Sequence, residues 1–205
     1  MMKKICLFFL LFAITQIAVS QNFKGGIRIG FTATQMSGDD LSGFHKLGAC
    51  AGGFVNWRFA QNERWAIQPE INFIMKGSSV FLRANKDGNI GQKYVLSLGY
   101  VEVPVLVKFN IVKGLELELG PALDVLLYGI ERDANGKIPG RQPFRRFGMT
   151  GMAGVSYTFA QHFGLDLRYA NSLIPVRVPD GHHSQYRIVK KQFSSEIVFS
   201  VHYQF

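Results

Sequence analysis

From Trp65 to Lys76 the chain reads WAIQPEINFIMK, and its residues fall into two alternating sets. Trp65, Ile67, Pro69, Ile71, Phe73 and Met75 form one; Ala66, Gln68, Glu70, Asn72, Ile74 and Lys76 form the other. A period of two with chemically distinct faces is the pattern of a β-strand. It recurs. Ile27, Ile29 and Phe31 oppose Arg28, Gly30 and Thr32, and Leu47, Ala49, Ala51, Val55, Trp57 and Phe59 oppose Gly48, Cys50, Gly52, Asn56 and Arg58. Val101, Val103, Val105, Val107 and Phe109 oppose Glu102, Pro104, Leu106 and Lys108; Leu115, Leu117, Leu119, Leu123, Val125 and Leu127 oppose Glu116, Glu118, Gly120, Asp124 and Tyr128. Runs at 149–159, 163–169 and 195–205 complete a set of eight strands, with no helix. Pro104 and Pro121 fall inside two runs, where a missing amide donor predicts a local bulge at each.

Alternation alone does not say which face is inside, since a soluble barrel turns its apolar face inward. Three features decide for a membrane barrel. The connections alternate in length: 36–46, 78–92, 129–145 and 173–190 are long, whereas 60–64, 110–114 and 160–162 are short. Transmembrane barrels have this form, with short turns on the periplasmic side and longer extracellular loops. Trp57, Phe59, Trp65, Phe109, Phe159, Phe163, Tyr203 and Phe205 lie beside the short turns or the last residue, on the apolar face, as an interfacial aromatic girdle would. The opposite face carries charge of both signs, as a lumen does. The expected fold is therefore an all-β, eight-stranded antiparallel up-and-down transmembrane β-barrel.

Lys3 and Lys4 precede an apolar run from Ile5 to Ile14, and Ala18-Val19-Ser20 follows. This is the order of a cleaved secretory signal peptide, so residues 1–20 are read as a signal and 21–205 as the barrel domain. The run is shorter than the ~20 apolar residues of a spanning helix. Cleavage removes Cys6 and leaves Cys50 alone, so no internal disulfide is expected in the exported chain. It leaves 21 basic residues against 14 acidic ones. Export makes anionic lipid or polysaccharide the partner of that positive excess, and not nucleic acid.

The stretches KGGIRIGFTATQ, IQPEINFIMKGS, YVEVPVLVKFN, LELELGPALDVLLYG, FGMTGMAGVSYTF, GLDLRYANSL and FSVHYQF together resemble the PorT-like outer-membrane β-barrel family. Its Pro-Glu, Glu-x-Pro and Gly-Pro elements are matched at Pro69-Glu70, Glu102-Val103-Pro104 and Gly120-Pro121. The resemblance spans the mature chain. It implies an integral barrel in the outer membrane of a Gram-negative bacterium and no catalytic residues to carry over; some members serve in protein secretion.

Eight strands enclose an interior that side chains can fill, so the expected lumen is a paired charge network and not an open pore. Its members are Arg28, Arg58, Glu70, Lys76, Glu102, Lys108, Glu116, Glu118, Asp124, Asp166, Arg168 and Glu196. The long loops hold the basic excess, and Arg145, Arg146, Lys190 and Lys191, where loops re-enter strands, are candidate lipopolysaccharide contacts. Phe199, Val201, Tyr203 and Phe205 are read as the assembly signal recognised by the barrel-insertion machinery. A lipid A-modifying hydrolase would need Ser, His and a carboxylate within hydrogen-bond reach. His182-His183-Ser184 and Glu196 supply the residue types, yet the phase puts Glu196 in the lumen and the others in a loop. The adjacent His pair lacks the further ligands of a metal site. The expected function is a non-enzymatic scaffold or interaction module acting through its loops, without metal or cofactor; a secretion-apparatus subunit and the hydrolase are the alternatives.

Overall fold

The computed structural model describes residues 23–37, 43–59, 64–80, 94–133, 136–137, 144–177 and 191–205; the signal segment read at 1–20 lies outside them. The elements are β1 (Phe23–Ser37), β2 (Lys46–Phe59), β3 (Trp65–Val80), β4 (Tyr94–Val112), β5 (Leu115–Asp133), β6 (Gly136–Lys137), β7 (Phe147–Thr158), β8 (Phe163–Ser172) and β9 (Phe193–Gln204). Every pairing is antiparallel and runs in the order β4-β3-β2-β1-β9-β8-β7-β5, and β4 pairs β5 to close the ring. The two-residue β6 only extends β5 at Arg132 and Asp133, so the wall has eight strands. Its seam joins β1 to β9 from Gly26 opposite Gln204 to Ser37 opposite Phe193. The shortest wall strand has 10 residues, enough for the ~9–11 that a tilted strand needs to cross a bilayer.

Closure decides where side chains go. Ile29 is 68% exposed and Leu119 65%, while their neighbours Arg28 and Glu118 are 4% and 3% exposed. Apolar residues face out and charges face in, the reverse of a water-soluble barrel. Such a wall suits hydrocarbon outside and self-satisfied backbone within. At the end of the short turns Phe23 stacks on Trp57 at 5.8 Å, Trp57 meets Phe59 at 5.5 Å and Trp65 meets Phe109 at 4.7 Å. Phe163, Tyr203 and Phe205 continue the belt, with centroid distances of 4.9 and 5.7 Å. The turn between β4 and β5 places Gly114 at φ +88°, and a Cβ there would lie 2.6 Å from the Thr158 carbonyl oxygen. A left-handed residue in a close contact is one only glycine fills without strain.

The structure corrects several details. No register shift occurs at Pro104, which pairs with Ala122, or at Pro121, which pairs with Gly151. The missing amides cost rungs beside Pro104 and leave the register intact. The irregularities lie instead between Gly99 and Tyr100 and between Asn110 and Val112. At the first, Gly99 pairs with Tyr128 but Tyr100 with Leu126, so Leu127 is the extra residue. The bulge moves Tyr128 out of the lumen-facing phase expected for it: it is exposed, and its ring covers Gly99, where a Cβ would sit 2.2 Å from Cε1.

β4 also begins at Tyr94, well before Val101, and β5 continues to Asp133, into a segment read as loop. In the added turns of ladder Tyr94, Leu96, Leu98 and Tyr100 point inward. With Met36, Cys50, Ile74, Val176 and Val198 they form an apolar core, against which Leu126 and Phe144 pack. Cys50 is a free thiol buried in this core. A membrane-impermeant maleimide should therefore leave Cys50 unlabelled in intact cells and modify it once the barrel is unfolded. Rapid labelling of the folded protein would show that β2 is out of phase.

Candidate functional site

An inward charge leaves water when the wall closes, and it survives only if paired and hydrogen-bonded. All 12 residues of the expected lumen network face inward, in two tiers. Toward the short turns, Arg28 on β1 donates from Nη1 to Glu70 Oε2 on β3 at 2.8 Å and from Nη2 to Asp166 Oδ2 on β8 at 2.8 Å. Arg168 on β8 bonds both Glu70 oxygens at 2.8 Å and also holds Glu118 on β5 through Nε and, at 3.1 Å, Nη2. Lys108 on β4 lies 3.2 Å from Glu116 and 3.5 Å from Glu118, and Arg58 on β2 pairs with Glu116. Four bases thus meet four acids. Six strands are tied together through the barrel interior.

The guanidiniums do most of this because a planar fork can bond two carboxylates at once. Gly154 makes room for it: a Cβ there would stand 2.8 Å from Arg168 Cγ and 3.0 Å from Glu118 Oε1. Gln68 and Asn72, one on either side of Glu70, donate to its two oxygens at 2.6 and 2.8 Å. His202, whose Nδ1 is 3.1 Å from Asp166 Oδ2, joins the tier and was missed in the sequence. Its alternation with Ser200 and Gln204 was the available signal.

The second tier is nearer the long loops. Lys76 Nζ on β3 lies 2.9 Å from Glu102 Oε1 on β4, 2.9 Å from Glu196 Oε1 on β9 and 3.7 Å from Asp124 Oδ2 on β5. Thr150 on β7 donates to Asp124 Oδ2. Above it, Arg177 lies over the Phe144 ring at 3.8 Å and bonds Glu131 at 3.1 Å, with Tyr94 on the same carboxylate. Among the described residues, two small voids lie beside these tiers, of about 10 Å³ each. Such a volume holds about one water.

The rim residues sit outside this plug. Arg145, Arg146 and Lys191 are exposed at the long-loop end. Arg145 N donates to Val176 O at 2.9 Å, and Val176 N donates to Gln192 O at 2.9 Å, so residues 145, 176 and 192 lie side by side. Lys190 lies outside the described residues, as do His182, His183 and Ser184. Glu196 is in the lumen against Lys76. Phe199, Val201 and Tyr203 line the outward face of β9 and Phe205 follows its last residue, Phe199 packing on Phe31 at 5.3 Å. Among the described residues no group of three or more metal-ligating side chains is placed to hold an ion.

The sequence pattern of the outer membrane protein beta-barrel domain matches residues 19–177. The chain belongs to that family. It is an integral outer-membrane protein. No curated protein is detectably similar to it in sequence. Among solved structures, it is similar to Ail, the attachment invasion locus protein of Yersinia pestis, in complex with the heparin analogue sucrose octasulfate. The two are 14% identical over 90% of this chain and 99% of that one, with a TM-score of 0.50. Neisserial surface protein A is 14% identical over 90% of this chain and 97% of its own, with a TM-score of 0.49. For OprG of Pseudomonas aeruginosa the values are 12%, 90%, 97% and 0.42.

The lower tier predicts its own weak point. Arg168→Met removes the shared partner of Glu70 and Glu118 and leaves buried carboxylate behind, at a cost of roughly 3–5 kcal/mol. Urea unfolding in micelles, followed by the fluorescence of Trp57 and Trp65, should show that loss as a lower midpoint. An unchanged midpoint would mean the tier contributes nothing to stability.

Proposed function

We propose that this barrel is a non-enzymatic membrane scaffold whose basic extracellular rim holds anionic headgroups, the phosphates of lipopolysaccharide foremost. The observation that carries the reading is the backbone bridge from Arg145 through Val176 to Gln192, which sets Arg145 and Arg146 at the same edge as Lys191. Three exposed cations there stand above outward apolar residues, Phe147 and Leu173 among them. That order, charge over hydrocarbon, matches a phosphorylated lipid, and arginine bonds phosphate with two parallel donors. The neighbouring Ail barrel is described with a sulfated sugar, a polyanion; this supports the reading as a precedent for the architecture.

A filled lumen favours an interaction role over transport. The non-enzymatic reading is supported by the place of Glu196, whose carboxylate is spent on Lys76 in the lumen and faces away from lipid. The finer family placement, PorT-like, is part of the same proposal and rests on the quoted stretches around Pro69-Glu70, Glu102-Val103-Pro104 and Gly120-Pro121.

A cation near an anionic membrane surface contributes about 1 kcal/mol. Replacing Arg145, Arg146 and Lys191 together by Ala should then weaken binding of immobilised lipopolysaccharide to the micelle-folded barrel on the order of 100-fold. The wild-type interaction should also weaken as salt rises. Binding that is indifferent to both the substitutions and salt would overturn the proposal.

A further inference from the structure

The two charged tiers differ in their balance. In the lower one Arg28, Arg58, Lys108 and Arg168 answer Glu70, Glu116, Glu118 and Asp166, one for one, with His202 Nδ1 also 3.1 Å from Asp166. In the upper one a single Lys76 faces Glu102, Asp124 and Glu196. All four side chains are almost fully buried, with 1% to 5% exposure. If all three acids were ionised, two uncompensated negative charges would sit on side chains almost fully withdrawn from water. Isolated buried carboxylates take up protons instead of bearing that cost.

The surroundings supply no other counter-charge among the described residues. Arg28 from β1, Cys50 from β2 and Arg168 from β8 line a small void with Glu102, Tyr100 from β4 lies by Lys76, and Thr150 from β7 bonds Asp124. Of these, Arg28 and Arg168 are bound to Glu70, Asp166 and Glu118. The Arg177 guanidinium above is bound to Glu131, which Tyr94 also contacts. Hydrogen bonding points the same way. Asp124 Oδ1 and Glu196 Oε2 are buried with no donor, and so is the Tyr100 hydroxyl, whose ring lies 5.4 Å from Lys76 Nζ. A carboxylate oxygen with no donor is costly when buried, whereas a carboxyl O–H removes the charge and adds a donor.

We propose that two of the three carboxyls of Glu102, Asp124 and Glu196 are held as neutral acids in the folded barrel at neutral pH, so that the upper lumen is a binding site for two protons. The group left ionised balances Lys76. The sign of the pH dependence follows. Unfolded, the three acids ionise at neutral pH, so the folded state binds more protons and stability falls as pH rises. The lower tier, with a base for each acid, calls for no added protons to balance its charge.

The test compares the wild type with Asp124→Asn/Glu196→Gln, whose amides keep the shape and leave Glu102 to balance Lys76. Infrared spectra of the bilayer-folded protein at neutral pH should show the carbonyl stretch of neutral carboxylic acids in the wild type and lose it in the double variant. Glu196→Gln alone, the smaller change, should lose part of it. On thermal unfolding the double variant should be at least as stable as the wild type at neutral pH and keep that stability in alkaline buffer, where the wild type loses its own. Glu118→Gln, from the balanced tier, should be destabilised at both. A wild type without the neutral-acid band, or a band that survives the double substitution, would overturn the proposal. So would a wild type that is stable only with sodium or potassium present, because a metal ion would then be neutralising the cluster.

Discussion

No water is available in a bilayer core to satisfy a backbone amide or carbonyl, and each one left bare costs several kcal/mol. The ladder of β1 with β9 meets that constraint here, because it turns a row of sequential hairpins into a ring. Everything else about the molecule depends on closure. A closed wall with a two-residue side-chain period has only an outside and an inside, so each residue is assigned to hydrocarbon or to lumen by its parity. Ile27, Ile29 and Phe31 go one way and Arg28, Thr32 and Thr34 the other. A slip of one residue at the seam would exchange those sets and put Arg28 in lipid.

The ring is also narrow. Eight strands leave space for side chains and little else, so inward groups must complete one another across the barrel. Arg28 shows how far this reaches: its guanidinium joins residues 42 and 138 positions away in sequence. The Arg28–Asp166 bond, from β1 to β8 on the far side of β9, is made only with the β1–β9 seam in place, so it rewards closure. Buried ion pairs are seldom a net source of stability against apolar alternatives, but an unmatched one is strongly destabilising. A lower tier with four bases for four acids fits a network that selects one register. The upper tier breaks that rule, which is why protons are the natural way to complete it.

The parity of the strands was legible in the sequence because charge and hydrocarbon alternate without ambiguity in runs such as 101–109 and 115–125. Strand ends were not. Above Val101 the inward residues change from Glu102 to Tyr100, Leu98, Leu96 and Tyr94, since a ladder that rises toward water can fill its interior with an ordinary apolar core. The contrast between faces then fades, and with it the signal for a strand. The bulge at Leu127 was hidden for a related reason: Leu126, Leu127 and Tyr128 are all apolar enough for either face, so the pattern cannot count an extra residue there. The prolines misled in the other direction. Proline removes one donor, and a strand can drop that rung while its other bonds hold the register. In the lower tier, charge identified the members but not their partners. Which base meets which acid depends on the barrel's stagger, as does the space that Gly154 leaves for Arg168.

The cross-tied lumen commits its described inward side chains to one another. The lipid-facing belt is committed to the bilayer and the lower lumen to its own ion pairs. Among the described residues, this leaves the rim, where exposed cations stand at the edge of the wall, and the upper tier, where the count of acids exceeds that of bases. The two have opposite electrostatic needs. As proposed, a rim in water would draw anions at little desolvation cost and respond to salt, whereas the buried upper tier would respond to pH. The apolar core of Leu96, Leu98, Tyr94 and Met36 lies toward the same long-loop end as the rim. The proposed protonation of Glu102, Asp124 and Glu196 depends on that core excluding water, since a wet passage through it would let solvent reach Lys76 and its three acids.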